Sequence, residues 1–164
     1  FIEKLNLGQV YVVGHSLGGH IALALAGKIP IKGLLISGTP PLEVAQNLGE
    51  AFNQITELNT LFTKNPTQDE VKKLKKVFNL DDDIFDFENT FNKTDPQCRE
   101  NVVVAIQESK TIGEVSIIKA LDIPVIICYA AKDLILNMPY IQSLSEKFKS
   151  KENSLYGYNS KRKF

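Results

Sequence analysis

Three short runs of apolar residues predict strands that are buried on both faces. They are "VYVV" at 10–13, "GLLIS" at 33–37 and "PVIICYA" at 124–130. None alternates apolar with polar residues, which is typical of parallel strands covered by helices. Residues 19–28 are rich in Ala, Leu and Ile and stop before Pro30, which predicts a helix between the first two strands. This order of strand, helix and strand predicts a βαβ crossover in a parallel α/β sheet.

The pattern of strands stops between residues 40 and 121. A capping box at Thr67 and Glu70 precedes apolar residues at helical spacing, and a second helix is predicted from Pro96. Roughly 80 residues is far longer than an ordinary connection between strands, so we predict a mostly helical insertion. The phenylalanines of "DDDIFDFENTF" indicate an apolar interior for it, formed either by core residues or by residues that contact a ligand.

The same pattern predicts how the chain is organised. Residues 1–39 form an α/β core, residues 40–121 the helical insertion, and residues 122–164 the continuation of the core. In the last part, "MPYIQSLSEKFK" is an amphipathic helix with Ile141, Leu144 and Phe148 on one stripe. The later "SLYGY" is a candidate final strand.

The composition narrows the class of partner. The 19 basic and 19 acidic side chains give a formal net charge of zero, so nothing favours nucleic acid or a membrane surface. No apolar run approaches the ~18 residues of a spanning helix. No signal-peptide pattern opens the sequence, so we expect a cytoplasmic location. Cys98 and Cys128 are far apart in the sequence, and the place of Cys128 in an apolar run predicts a free thiol for it. With no CxxC pair and only His15 and His20 as histidines, we expect no metal site.

The most informative stretch is "GHSLG" at residues 14–18, which fits G-x-S-x-G between the first strand and the first helix. A serine there can be held on a strained turn with its hydroxyl exposed, so Ser16 is the candidate nucleophile. Close approach of strand and helix predicts that Gly14 and Gly18 have no room for side chains. The helix would begin at Leu17, whose free amide is the candidate oxyanion donor. The alternative is a glycine-rich turn that only lets strand and helix pack closely.

With "VVGHSLGGHIAL" and "IPVIICYAAKD", the chain resembles the α/β-hydrolase fold family, in its serine-nucleophile branch with a helical cap. In that family the triad acid follows a late strand in a G-x-x-D turn, and here Ala130 stands at the usual glycine. The resemblance implies that Asp133 is the triad acid; the alternative is an exposed turn aspartate. It also implies that the insertion is the family's cap. Serine as nucleophile favours esterase, lipase, thioesterase or C–C bond hydrolase chemistry.

The resemblance covers only the middle and later part of the family's fold. The family places further strands before the nucleophile strand, whereas nine residues precede Val10 here. Its base is a histidine after the acid, and no histidine follows Asp133. His15 and His20 are expected to be local packing or hydrogen-bonding residues. We therefore expect a chain that is partial at both ends, with its base outside the sequence and an open apolar edge on its first strand.

These features predict a hydrolase that cleaves an ester, thioester or related acyl bond of a small-molecule substrate through an acyl-serine intermediate. No metal or organic cofactor is implied. For the 164-residue chain itself we expect no activity, because Ser16 lacks a base and has one identified oxyanion donor. The alternative is a non-catalytic hydrolase remnant or an interaction protein that keeps the turn without the chemistry. The sequence predicts neither the substrate nor the oligomeric state.

Overall fold

The computed structural model of the chain describes residues 1–80, 85–108, 113–148 and 154–158. The strands are β1 (Tyr11–His15), β2 (Gly33–Ser37), β3 (Val125–Ala130) and β4 (Ser154–Tyr158). The helices are α1 (Leu17–Ala26), α2 (Leu48–Ala51), α3 (Gln68–Phe78), α4 (Phe87–Lys93), α5 (Pro96–Glu108), α6 (Glu114–Ala120) and α7 (Met138–Phe148). Short 3₁₀ helices, Ala45–Asn47 and Thr56–Phe62, lie on either side of α2.

The four described strands form one parallel sheet in the order β1-β2-β3-β4. Val12 pairs with Leu34, and Leu34 pairs with Val125 on its other side. The three apolar runs are thus confirmed as neighbouring strands, each with bounds close to the predicted ones. The candidate final strand is β4, which pairs in parallel with β3. The predicted parallel α/β sheet is confirmed.

One face of the sheet shares a single core with α1, α6 and α7. Alternate residues of β2 and β3 point into this core, because successive side chains of a strand lie on opposite faces. The predicted stripe of α7 is confirmed, since Ile141, Leu144 and Phe148 are all buried. The core consists of Ala22, Leu23, Ala26, Ile31, Leu34, Ile36, Val115, Ile118, Val125, Ile127, Leu144 and Phe148.

The outer strand β1 exposes apolar side chains on the opposite face of the sheet. Tyr11 and Val13 are each 73% exposed, whereas Val12 between them packs against the core. Among the described strands, β1 has β2 as its single neighbour. Within this part of the chain the predicted open apolar edge is therefore confirmed.

The chain divides into two compact units. The first comprises residues 1–53 and 111–164, and the second comprises residues 54–110. The second unit is shorter than the predicted insertion over residues 40–121, because α6 contributes its apolar side chains to the core of the first unit.

The second unit is helical, and α3 opens on the predicted capping box. The N–H of Thr67 donates to Oε2 of Glu70 at 2.7 Å, and the N–H of Glu70 donates to Oγ1 of Thr67 at 3.3 Å. The hydrogen bond from the Thr67 backbone, followed by the one from its side chain, holds the pKa of Glu70 below its ordinary value. On the other side of α3, Val71 and Leu74 are fully buried.

The phenylalanines of the second unit form a cluster. The ring of Phe87 contacts those of Phe78, Phe85 and Phe91 at centroid distances between 5.7 and 6.4 Å. Phe91 is buried, and Phe85 is 42% exposed. Residues 81–84 of the predicted aromatic segment lie outside the described residues. These contacts favour core packing as the role of the described aromatic side chains.

Arg99 is buried within the same unit, at 8% exposure. Its guanidinium donates hydrogen bonds to the carbonyl oxygens of Thr63, Lys64, Phe91 and Thr94, at distances between 2.9 and 3.2 Å. It also lies 4.6 Å from the centroid of the Phe91 ring. A buried cation is tolerated where carbonyl groups and an aromatic ring replace the water molecules that would otherwise solvate it. Arg99 therefore ties several segments of this unit together.

Two segments of the first unit that are distant in sequence bind each other through backbone groups and carboxylates. The N–H of Leu42 donates to Oε2 of Glu114 at 2.7 Å, and the N–H of Glu114 donates to the Leu42 carbonyl at 2.7 Å. The N–H groups of Ser116 and Gly113 donate to the side chain and the carbonyl of Glu43, both at 2.9 Å. We call this pairing the clasp. It holds together the two ends of a loop of about 70 residues.

Tyr140 of α7 packs beside the clasp. Its hydroxyl donates to the carbonyl of Pro41 at 2.7 Å. Burial of the phenol, together with the carboxylates of Glu50, Glu114 and Glu43, raises the pKa of Tyr140 from 10.0 to about 12. The folded protein therefore retains this proton over a pH range in which the unfolded chain loses it.

We expect the free energy of unfolding to fall as pH rises from about 10 to about 12, the two pKa values of Tyr140 in the unfolded and folded chain. The contribution is fully present below the lower value, and partial exposure limits the loss to about 1 kcal/mol. Urea unfolding followed by far-UV circular dichroism at several alkaline pH values, on the wild type and on Tyr140→Phe, measures it. The wild type should lose more stability than Tyr140→Phe over this range. Parallel curves would contradict the assignment.

Among the described residues, no helix combines the length and the apolar content needed to cross a membrane. Nor does this part of the chain hold a group of three or more His, Cys, Asp or Glu side chains placed to bind a metal ion. Cys98 is exposed and Cys128 is half-buried, and both are free thiols, as the sequence predicts for Cys128.

Candidate functional site

Ser16 lies on the turn between β1 and α1, where it is the N-cap residue of the helix, and it is exposed. Its φ of 51° and ψ of −122° lie outside the left-handed helical region, in which ψ is near +47°. The other described non-glycine residues with positive φ are Asn6 and Asn79, and asparagine tolerates such angles. Backbone of this kind costs about 1–3 kcal/mol and clusters at functional sites. The Ser16 backbone is therefore strained.

Three hydrogen bonds hold this strained backbone. The N–H of Ser16 donates to the carbonyl of Ser37 at 2.9 Å. The carbonyl of Ser16 accepts from the N–H of Gly19 at 2.9 Å and from Oγ1 of Thr39 at 2.9 Å. Thr39 is 1% exposed, and its hydroxyl also lies 3.1 Å from the Ser37 carbonyl. A sparsely populated conformation persists where its surroundings over-determine it, and these contacts do so here.

Two glycines on either side of the turn between β1 and α1 are crowded by their neighbours, and one of them lies outside the motif. A Cβ on Gly14 would lie 2.7 Å from backbone atoms of both Gly18 and Gly19. At Gly18 a Cβ would meet nothing within 4 Å, so the prediction that Gly18 has no room for a side chain is wrong. The second crowded glycine is Gly19, where a Cβ would lie 2.7 Å from that of Thr39. Gly19 is buried against Thr39, whereas Gly18 faces open space.

The N-terminus of α1 offers a backbone donor beside the Ser16 hydroxyl. No side chain caps this end of the helix. The N–H of Leu17 donates to no acceptor in the part of the chain that the structure describes. A helix N-terminus carries a partial positive charge of about +0.5. Leu17 therefore supplies a donor that favours negative charge next to Ser16.

Asp133 follows the end of β3, and its N–H donates to the carbonyl of Ala130 at 3.0 Å, which closes a turn. Its Oδ1 accepts from the N–H groups of Ile135 and Leu136 at 2.8 and 3.0 Å. Within the described residues its Oδ2 accepts no hydrogen bond. The carboxylate is thus oriented by its own loop through one oxygen, and the other oxygen is left to accept from a further group.

The loop that carries Asp133 is held in place by Asn53. The N–H of Asn53 donates to the carbonyl of Ile135 at 2.8 Å. Its side-chain amide donates to the carbonyls of Leu134 and Leu136 at 2.9 and 3.1 Å. The conformation of the loop is therefore fixed by Asn53 as well as by the carboxylate of Asp133 itself. Sequence reasoning missed this partner, because 80 residues separate Asn53 from Asp133 and no motif links them.

The structure brings Ser16 and Asp133 to the same edge of the sheet. They follow the carboxyl ends of β1 and β3, which flank β2 in a parallel arrangement. Neighbouring strands are ~4.8 Å apart, so the two strand ends are separated by about 10 Å. A hydroxyl with an adjacent backbone donor, and a carboxylate with an available oxygen, are two of the parts that acyl transfer uses.

Neither histidine joins these two residues. His20 lies on α1 and its Nδ1 is 2.8 Å from Oε1 of Glu114, so its prediction as a hydrogen-bonding residue is confirmed. The ring of His15 packs over Gly38, where a Cβ would lie 3.0 Å from it. In the described part of the chain, no hydrogen bond links either histidine to Asp133. The chain supplies no imidazole between the candidate hydroxyl and the candidate acid.

Several solved structures share this fold. They include the N-acyl homoserine lactonase AidH complexed with N-butanoyl homoserine, with a TM-score of 0.76 and 16% identity, covering 95% of this chain and 57% of that one. An esterase from Exiguobacterium antarcticum has a TM-score of 0.71 and 18% identity, and the match covers 96% of this chain and 61% of the esterase. A carboxylesterase of Nitrososphaera gargenis has a TM-score of 0.65 and 20% identity, and the match covers 96% of this chain and 59% of the carboxylesterase. At these identities the likeness shows the fold.

This chain spans between 57% and 61% of the length of those three proteins. A comparison with curated proteins gave no match. The sequence itself matches the family described as alpha/beta hydrolase fold over residues 1–157, which is nearly its whole length. The chain belongs to the alpha/beta hydrolase fold family.

Proposed function

We propose that this chain carries the nucleophile and the acid of a serine hydrolase that cleaves an ester, thioester or related acyl bond of a small-molecule substrate. The observation that carries the proposal is the backbone of Ser16, whose positive φ costs about 1–3 kcal/mol. A turn that served packing alone would favour glycine or asparagine at this position, since both adopt positive φ at lower cost. A serine that bears the strain and stays exposed fits a reactive hydroxyl better than a packing turn.

The family membership and the names of proteins with this fold support the same class of chemistry. The similar structures include a lactonase complexed with an acyl homoserine and two proteins named as esterases. Lactones and esters share an acyl carbon bonded to an oxygen leaving group. We extend that substrate class to this chain as part of the proposal.

In the proposed mechanism, a base takes the proton of the Ser16 hydroxyl while Oγ bonds to the acyl carbon. The former carbonyl oxygen becomes negatively charged and accepts a hydrogen bond from the N–H of Leu17, an interaction worth ~2.7–4 kcal/mol per donor. Collapse of this intermediate expels the alcohol, which receives the proton from the base. Water then attacks the acyl-serine by the same steps and releases the acid.

Asp133 would orient the base through Oδ2, because Oδ1 is occupied by two amides of its own loop. An imidazole held this way has its other nitrogen directed at the serine hydroxyl. We propose that the 164-residue chain does not turn over substrate on its own, because His15 and His20 are engaged elsewhere.

We further propose that the second unit, residues 54–110, is the cap that selects substrates. Its helical content and its being a compact unit of its own support this assignment. The predicted cap over residues 40–121 included residues that pack with the sheet, so the proposed cap is limited to this unit.

The test is covalent labelling of Ser16 by a fluorophosphonate, which reacts with an activated serine. The chain alone is expected to show no Ser16-dependent labelling. Added imidazole, which supplies a diffusible base, is expected to raise labelling to about tenfold above the background seen with Ser16→Ala, a fraction of the ~10²–10⁴ that a positioned base contributes. The labelled residue is identified by mass spectrometry of the digested protein.

Ser16→Ala is the matched control and should remove the imidazole-dependent signal, while Ser37→Ala on the neighbouring strand should retain it. Robust Ser16-dependent labelling without imidazole would overturn the proposed inactivity of the chain. Absence of labelling at every imidazole concentration would favour a non-catalytic protein that keeps the turn without the chemistry.

A further inference from the structure

We propose that Thr39 is a positioning residue that aims the oxyanion donor of the candidate site. The part of this inference that concerns catalysis rests on the proposed function. The hydrogen bond from Thr39 to the Ser16 carbonyl does not depend on whether Ser16 is reactive. Thr39 lies just beyond the end of β2, outside the G-x-S-x-G motif, and has no assigned role in the sequence pattern. Its side chain is 1% exposed.

The carbonyl of Ser16 and the N–H of Leu17 belong to one peptide group. In a trans peptide the C=O and the N–H lie in one plane and point in opposite directions. No cis peptide bond occurs among the described residues. Whatever fixes the carbonyl of Ser16 therefore also fixes the direction of the Leu17 N–H, which is the proposed oxyanion donor.

Two donors fix that carbonyl. The N–H of Gly19 is 2.9 Å from it and belongs to the first turn of α1, so it moves with the helix. The hydroxyl of Thr39 is also 2.9 Å from it and belongs to a different segment, so it anchors the carbonyl to the sheet. The Ser37 carbonyl lies 3.1 Å from the same hydroxyl and competes for its single proton, and the shorter distance favours the Ser16 carbonyl as the acceptor. Thr39 is thus the link that keeps the peptide plane from rotating with the helix end.

The absence of a side chain at Gly19 belongs to the same arrangement. A Cβ at this position would collide with Oγ1 of Thr39 and would lie 2.7 Å from its Cβ. The Thr39 side chain therefore occupies the space that the methyl group of an alanine at position 19 would need. It places a hydroxyl next to the turn. The glycine and the threonine act as a pair.

The experiment uses the isotopically labelled chain and backbone nuclear magnetic resonance. In Thr39→Val, which removes the hydroxyl and keeps the shape, the ¹³C′ resonance of Ser16 and the amide resonance of Leu17 are expected to shift. In Thr39→Ser, which keeps the hydroxyl, both should stay at their wild-type positions. Thr60→Val, the same change at another buried threonine, should leave both unchanged. The proposal would be overturned if the Ser16 and Leu17 resonances stayed at their wild-type positions in Thr39→Val, or if they shifted in Thr39→Ser.

A wild-type measurement keeps the proposal testable if Thr39→Val does not fold. The hydroxyl proton of Thr39 and the amide proton of Gly19 point at the same carbonyl oxygen, so a nuclear Overhauser effect between them is expected, together with slow exchange of the hydroxyl proton with water. Absence of that signal would refute the hydrogen bond.

The proposed role of Thr39 in catalysis is tested separately, by the extent of covalent labelling of Ser16. With imidazole present, fluorophosphonate labelling of Ser16 is expected to fall about tenfold in Thr39→Val and to recover in Thr39→Ser, a smaller loss than the ~10²–10³ seen when a donor is removed outright. Equal labelling of Thr39→Val and wild type would show that Thr39 does not aim the donor. Failure of the wild type to label refutes the proposed function and with it the catalytic part of the inference, but leaves the resonance test of the hydrogen bond intact.

Discussion

Gly14→Ala is expected to lose about 3 kcal/mol of unfolding free energy, the upper part of the range for overpacked sites. The added Cβ would lie 2.7 Å from backbone atoms at the start of α1, and backbone cannot move aside as a flexible side chain can. Relief of the contact requires the helix to shift away from β1, which breaks the hydrogen bonds of Ser16. Urea unfolding followed by far-UV circular dichroism measures the loss.

Gly18→Ala is the matched control for that experiment. A Cβ at position 18 meets nothing within 4 Å, and the residue lies in the first turn of a helix. Alanine in place of a helical glycine stabilises by roughly 0.5–1 kcal/mol. The two substitutions, four residues apart in one motif, should therefore have opposite signs. A similar loss in both would show that the crowding around the turn is not as described.

Arg99→Ala is expected to destabilise the second unit by about 3 kcal/mol, because it leaves the carbonyls of Thr63, Lys64, Phe91 and Thr94 without their donor. Limited proteolysis within residues 54–110, mapped by mass spectrometry, reports the opening of this unit separately from the sheet. Cleavage there should become faster, while cleavage in the first unit should keep its wild-type rate.

Two controls separate the hydrogen bonds of Arg99 from its charge. Arg99→Lys keeps the charge but lacks the planar fork that reaches several carbonyls, so most of the stability should still be lost. Glu100→Ala, one residue away, removes an exposed ion pair with Lys64 and should cost little. If Arg99→Lys were as stable as the wild type, the charge rather than the set of hydrogen bonds would account for the effect.

Much of the sheet could be predicted from the sequence because its information is local. Buried parallel strands are continuous apolar runs, and a capping box is readable within four residues, as at Thr67. The serine turn was also visible as a motif between a strand and a helix. General stereochemistry predicts strain at this turn, and the positive φ of Ser16 agrees with that prediction.

The contacts that complete the site could not be predicted in this way. Thr39 reaches the carbonyl of Ser16 across 23 residues, and Asn53 reaches the loop of Asp133 across about 80. Such contacts depend on how strands are ordered and how loops leave them, which no local pattern encodes. The prediction that Gly18 has no room for a side chain failed for the same reason, since crowding at a helical glycine depends on which distant side chain faces it.

The clasp also bears on how proteins of this architecture change. It closes the base of a long excursion with contacts that lie wholly inside the sheet-bearing unit. A segment anchored in this manner is a replaceable module, because sequence between the anchors can be shortened, lengthened or grafted from elsewhere at a small entropic cost per residue. The second unit, which we propose as the cap that selects substrates, can then change between relatives while the sheet-bearing unit stays the same.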